Sequence, residues 1–397
     1  MIYKRIFHFL ALIFTGILLS HCNDSPTDLG INFLTQDGVE VLKFDSSVDS
    51  FQQNSFDFKK VYVLGSASHV LLGKTENVTS HILLKFAFLL PDSIVTEIEN
   101  QTINVIDSYV TLTKDYSFGN TSGNFDYGVF KVNEFWSSST FTSDDFASLS
   151  VDNIDLSSDR TSLNDTTYTF HLSNDLAALW LKNYADTTLA DNYGILLSPT
   201  DNTQKVFGFT AYNVSDVDVP ILRVVVQKPG AYIDTLIGYI TLDVSAIIGS
   251  VPDVGPENLA IQSSLASEVQ LNFDLTALPK DIAINSAKLT LTIDTLQSEY
   301  GSDFENSLSV FLIADSTKDS LNRNYAYKLT RTGNTFSGDI TNIIRAFNNN
   351  VDNQGILVKS TQEFWGLEIF TVKGSNAANI ADRPRLEIIY SKGGKHQ

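Results

Sequence analysis

Ala287-Lys-Leu-Thr-Leu-Thr-Ile293 places Leu289, Leu291 and Ile293 on one face and Thr290 and Thr292 on the other. A period of two belongs to a strand with one face in a core and the other towards water. Tyr109-Val-Thr-Leu-Thr113 alternates in the same way. Thr, Val, Ile, Phe and Tyr are abundant elsewhere, and Asn, Asp, Ser and Gly punctuate the runs. These residues suit a pleated, half-buried surface broken by turns, so the chain is expected to be all-β and antiparallel.

The same alternating blocks occur twice, in the same order. His81-Ile-Leu-Leu-Lys-Phe86, running on to Pro91, matches Glu268-Val-Gln-Leu-Asn-Phe273, running on to Pro279. Ser108–Thr113 matches Ser286–Thr292, Leu172–Leu179 matches Ile340–Phe347, Asn192–Leu197 matches Asn353–Val358, and Asp218–Leu222 matches Asp382–Leu386. The offsets between blocks are unequal, which implies two homologous domains with different loops, the first carrying the insertions. Within the third block Leu176 and Leu179, or Ile344 and Phe347, fall on one helical stripe, with Ser173 and Thr341 as N-caps. The expected architecture is therefore two tandem antiparallel β-sandwich, jelly-roll-like domains, each with one short helix plugging an edge or an end. Lys228-Pro229-Gly230 reads as a hinge. It divides a first sandwich at 39–230 from a second at 231–397 that includes Tyr239–Val244.

The N-terminus carries an address. Lys4 and Arg5 precede a mostly apolar run from Ile6 to Leu19, too short for a membrane span and the right length for a signal peptide over residues 1–21. Cys22, the only cysteine in 397 residues, stands where Leu19-Ser20-His21-Cys22 resembles a lipobox, with His21 in place of the usual small residue. The expectation is acylation at Cys22 and a polar tether over 22–38; ordinary secretion or an uncleaved anchor are the alternatives. One cysteine allows no internal disulfide, so the core stands on burial alone.

Net charge is −19, with 12 basic and 28 acidic residues in 23–234 and 13 and 18 in 235–397. This acidity, without a basic stripe, argues against nucleic acid as a partner.

Phe273-Asp-Leu-Thr-Ala-Leu-Pro279, Asp339-Ile-Thr341 and Asp382-Arg-Pro-Arg-Leu-Glu-Ile-Ile-Tyr390 resemble the DNRLRE-type β-sandwich domain, which is related to carbohydrate-binding modules. The first copy departs from the signature, with Val219 where Arg383 stands, but Val132-Asn-Glu-Phe-Trp136 resembles that family's mid-domain tryptophan region. Cys22-Asn-Asp-Ser-Pro-Thr-Asp-Leu-Gly30 resembles the start of uncharacterised surface lipoproteins of Gram-negative bacteria. The resemblance implies a surface-held sandwich protein that binds glycan.

Little in the sequence carries chemistry. The six histidines have no metal-ligand spacing, and nucleophile elbow, P-loop and zinc-protease motifs are absent. Nothing singles out a catalytic pair among 46 acids, so no enzyme is expected. Asp144, Asp145, Asp152, Asp155 and Asp159 could supply oxygen ligands to Ca²⁺, although the spacing is not that of an EF-hand and a solvated loop is the competing reading. Trp136 and Trp365 are the candidate ligand contacts, because an indole stacks on the apolar face of a sugar while amides and acids bond its hydroxyls. Packing is the competing reading for both, and Trp180, on the helix stripe, reads as core. The expected function is non-catalytic binding of an extracellular ligand, foremost a glycan, at the outer membrane or cell surface. The alternative is a structural or adhesive spacer that meets a surface protein and binds no sugar.

Overall fold

The alternation of Ala287–Ile293 forms strand β15 (Ile282–Thr292), which buries Ala287, Leu289 and Leu291 in one core and turns Lys288 and Thr290 away from it. The computed structural model describes residues 39–49, 52–59, 67, 69–189, 191–212, 217–316 and 320–393. The segment 1–21, Cys22 and the 22–38 tether lie outside the described residues.

Two large sheets hold the described strands, and every pairing between strands is antiparallel. The ten-stranded sheet contains β3 (His69–Lys74), β4 (Val78–Phe88), β5 (Asn104–Gly119), β6 (Tyr127–Lys131), β7 (Ser157–Ser162), β8 (Thr167–Leu172), β9 (Ile195–Pro199), β10 (Lys205–Thr210), β11 (Ile221–Lys228) and β12 (Tyr232–Gly249). The eleven-stranded sheet contains β15 together with β1 (Glu40–Asp45), β2 (Gln53–Lys59), β13 (Asn258–Gln262), β14 (Ser267–Phe273), β16 (Ser307–Asp315), β17 (Ser320–Thr332), β18 (Thr335–Asp339), β19 (Ile356–Ser360), β20 (Ile369–Lys373) and β21 (Arg385–Lys392). The repeated blocks become equivalent elements with equivalent neighbours. β9 pairs with β4 as β19 pairs with β14, and β11 pairs with β5 as β21 pairs with β15.

Four helices occur among the described residues: α1 (Asp92–Glu99), α2 (Ser143–Ser148), α3 (Asn174–Ala185) and α4 (Thr341–Asn348). The first unit thus has three helices where one was expected. α2 follows from a capping box, Thr142 and Asp145 bonding each other's backbone N–H. α3 buries Leu176, Ala177, Trp180 and Leu181, and α4 buries Ile343, Ile344 and Ala346. The expected N-caps do other work. Ser173 makes no side-chain cap, and Thr341 is the first helical residue, its hydroxyl accepting from Ala287 N–H at 2.8 Å. Asp339 receives the Thr341 N–H instead, at 2.7 Å.

The seams differ from the expected division. Lys228-Pro229-Gly230 is a hairpin turn within the first sheet, with Gly230 at φ +74° and Ala231 N–H bonded to the Lys228 carbonyl at 3.0 Å. β12 therefore continues the first unit, pairing with β11 over Tyr232–Tyr239 and with β4 over Gly238–Gly249, the latter register broken by a bulge between Ile240 and Leu242. Tyr239–Val244 belongs there rather than in the second unit. In the second unit two N-terminal strands share the place of β12: β1 pairs with β21 and β2 with β14. By pairing, then, the first unit spans 69–249 and the second combines 39–59 with 258–393.

This explains Arg385, one of the two arginines peculiar to the second copy's final block. Arg385 holds Asp45 through both carboxylate oxygens at 2.9 and 2.5 Å, keeping that carboxyl well below the usual carboxylate range. Ser46 completes the latch: its N–H bonds the Leu386 carbonyl at 3.0 Å and its hydroxyl accepts from Leu386 N–H at 2.8 Å. The equivalent position in the first copy is Ile221, on a strand joined to β12 by a tight hairpin, where no ionic latch is needed.

Each unit has its own core. Ile82, Leu84, Phe86, Phe170 and Phe209 lie in one, and Val269, Leu271, Phe336 and Phe370 in the other. A third cluster spans the junction, joining Leu71, Tyr116, Phe118, Val206 and Ile247 of the first unit to Leu265, Leu367 and Ile369 of the second. Burial of each such side chain is worth about 1.5–3 kcal/mol relative to exposure, so the units are docked and not strung on a free linker.

Candidate functional site

The two tryptophans proposed from sequence have opposite fates. Trp136 is buried, 4% exposed, with its indole N–H donated to the Tyr193 carbonyl at 2.8 Å and its ring edge-on to Phe141. It belongs to an extra apolar layer in which the insertion after β6 covers Leu83, Leu196 and Val244 on the outer face of the sheet. Both faces of the indole are committed to packing, which corrects the ligand role expected for Trp136. Trp365 is 45% exposed and sits in the turn between β19 and β20.

Trp365 stands at the junction of the two units. His69 of the first unit meets it edge-on, with ring centroids 6.1 Å apart, and lies nearly parallel to Tyr116 at 6.0 Å. His69 Nδ1 is 2.9 Å from Asp115 Oδ2, an ion-pair distance without the alignment of a hydrogen bond. Tyr116 is buried, and its hydroxyl accepts from Leu367 N–H at 2.9 Å, two residues beyond Trp365. Gly301 lies against the same ring, where a Cβ would come within 2.3 Å. Ser117 and Ser302 add two bonds across the junction: Ser302 N–H donates to the Ser117 carbonyl at 2.8 Å, and the Ser302 hydroxyl accepts from Ser117 N–H at 2.9 Å. The exposed indole therefore has a fixed backing.

Three residues on from Trp365 lies Glu368, 1% exposed, with neither carboxylate oxygen in a well-formed hydrogen bond. Burial raises its proton affinity, against the opposing pull of the nearby Tyr116 and Ser263 hydroxyls. Burial raises Glu299 in the same way and drives Tyr116 well above the ordinary tyrosine value. The adjoining cavity, between His69, Ser245, Ser264 and Glu363, measures about 20 Å³, room for one water and not for a substrate. What this place offers a ligand is the outer face of Trp365.

The acid-rich stretch is engaged locally. Asp145 caps α2, Asp152 accepts from Asn133 at 2.6 Å, and Asp155 accepts from Val129 and Ser157 N–H and pairs with Arg160 at 2.8 Å. Among the described residues no group of three His, Cys, Asp or Glu side chains is placed to hold a metal ion. The histidines are dispersed: His81 is wedged 4.7 Å from Phe146 and pushed down to about 4 by burial, and His171 faces Asp107 at 2.8 Å.

Two clefts escaped the sequence. One, about 600 Å³, opens between α4 and the 274–281 loop; the other, about 280 Å³, opens between α1 and α3 at the equivalent end of the first unit. The run Asn348-Asn349-Asn350 was the available signal for the larger one. Compared with models of known families and with curated proteins, the chain matches none.

Proposed function

We propose that the chain is a non-catalytic protein of the outer membrane, lipid-anchored through Cys22, whose two DNRLRE-like units bind an extracellular glycan. The observation that carries this reading is Trp365, an exposed indole held by His69 and the Tyr116–Leu367 contact at the junction. A flat ring of fixed orientation binds the apolar face of a sugar at little entropic cost. The −16 balance of residues 23–234 favours neutral glycans over polyanions unless calcium bridges them. An anchor at Cys22 would lead first into β1, so the second unit would lie nearer the membrane than the first, against chain order.

Affinity electrophoresis of residues 23–397 through a polysaccharide panel, with and without calcium, tests the binding. Retardation in a neutral-polysaccharide gel, weakened in Trp365→Ala, is expected; unretarded migration in every gel would sink the proposal. The packing role of Trp136 favours a second reading, a structural or adhesive spacer that meets a surface protein, and uniform failure to bind sugar would favour it. A fatty-acid probe should label the wild type and not Cys22→Ala; equal labelling of both would refute acylation there.

A further inference from the structure

We infer that the helix-capped end of each unit is a glycan-binding cleft, giving one chain two sites of similar chemistry besides Trp365. This rests on the glycan reading above. The larger cleft sets Thr276, Lys280, Asp281, Asn349 and Asn350 around a floor of Leu278, Ile344 and Phe347. The smaller sets Gln101, Asn104, Asn174, Asp175 and Lys182 around Ile98, Ala178 and Leu181. The two sets share no residue through the repeated blocks, yet their chemistry is the same: amides, one lysine and one aspartate over an apolar floor. Each cleft lies between a unit's equivalent helix, α3 or α4, and the connection that follows β4 or β14.

The ligand class follows from that chemistry. Amide side chains donate and accept, which suits hydroxyl groups, and the apolar floor suits the C–H face of a pyranose. Lysine and aspartate cancel in charge, so neither cleft selects a polyanion or a polycation. The larger volume lies within the roughly 300–1,000 Å³ of small-ligand sites, and the smaller falls just below it. The difference has a visible cause: α1, with Ile98 turned inward, fills space that the 274–281 loop leaves open. The larger cleft should accept the longer segment of a neutral oligosaccharide. Two sites on docked units would bind a polymer with avidity beyond either site alone.

The test is isothermal titration of the full chain in detergent with cello-, manno-, xylo- and laminarihexaose, paired with hydrogen exchange. Asn349→Trp and Ala178→Trp fill the two clefts from an exposed and a half-buried position. Each should remove one set of sites, with at least a tenfold loss of affinity there, while Trp365→Ala leaves both. The bound hexaose should slow exchange over 341–350 and 174–182 in the wild type, a readout independent of whether the variants fold. Binding that only Trp365→Ala abolishes, with exchange unchanged at both helices, overturns the clefts and spares the glycan reading. No heat with any hexaose in the wild type, and no gel retardation, overturns both.

Discussion

Arg385→Met should loosen one strand of the second unit and leave the first unit untouched. The guanidinium spans both oxygens of Asp45, whose side chain is 8% exposed, and also touches Glu387 at 3.1 Å. Removing the partner of a fully enclosed carboxylate costs roughly 3–5 kcal/mol. Here the arginine side chain is 37% exposed, and Asp45 keeps Ser47 and, at 3.3 Å, Lys43, so the expected loss is about 1–2 kcal/mol. The sign with pH is fixed by the depressed Asp45 carboxyl. Its contribution is complete above the unfolded value near 4 and is lost as pH falls towards the lower folded value, so the gap between wild type and variant closes in acid. Urea unfolding at pH 7 and pH 3 measures the gap, and hydrogen exchange locates it. Protection should fall over 40–45 and 385–392, where β1 pairs with β21, and persist over 221–239, where β11 pairs with β12. A gap below about 0.3 kcal/mol at pH 7, or exchange that rises equally in both sheets, would refute the latch.

Two further perturbations probe other parts of the fold. His81, pushed down to about 4 by burial, is neutral in the folded state at pH values where the unfolded chain protonates near 6.5. Wild-type stability relative to His81→Phe should therefore drop by about 2 kcal/mol between pH 8 and pH 5, measured by urea unfolding; a constant difference would mean that the imidazole is solvated. Tyr116→Phe leaves the Leu367 N–H without its acceptor, at about 1–3 kcal/mol, and Gly301→Ala forces a Cβ against the same ring. Both should split a joint calorimetric transition into two as the units uncouple, and a single unshifted transition in both variants would count against a junction built on Tyr116.

Sequence periodicity revealed the strands and the duplication because both are local: Leu289 and Leu291 alternate wherever their strand pairs, and each repeated block carries its own packing pattern. The partner of β1 is another matter. Asp45 and Arg385 lie 340 residues apart, and nothing in Glu40–Asp45 distinguishes a first strand of the first unit from a last strand of the second. The arginine that replaces Ile221 in the second copy was the one trace of the exchange. Pro229-Gly230 signalled a turn correctly and a domain boundary wrongly, because a hairpin and a hinge use the same residues. Trp136 sits in an insertion that looks like a loop, yet Phe141, Phe146 and Leu149 form with it a second apolar layer on a sheet already packed on its other face. The backing of Trp365 comes from His69 and Tyr116, which only the docking of the units brings near it.

The most direct measurement is tryptophan fluorescence during glycan titration, because the chain holds only three tryptophans. Trp136 and Trp180 are 4% and 2% exposed, against 45% for Trp365, so the solvent-quenchable emission belongs almost wholly to Trp365. A neutral oligosaccharide stacked on that ring should shift the emission to shorter wavelength and shield it from acrylamide, and Trp365→Phe should abolish both effects. Emission and quenching that stay constant with every glycan tested would contradict the account.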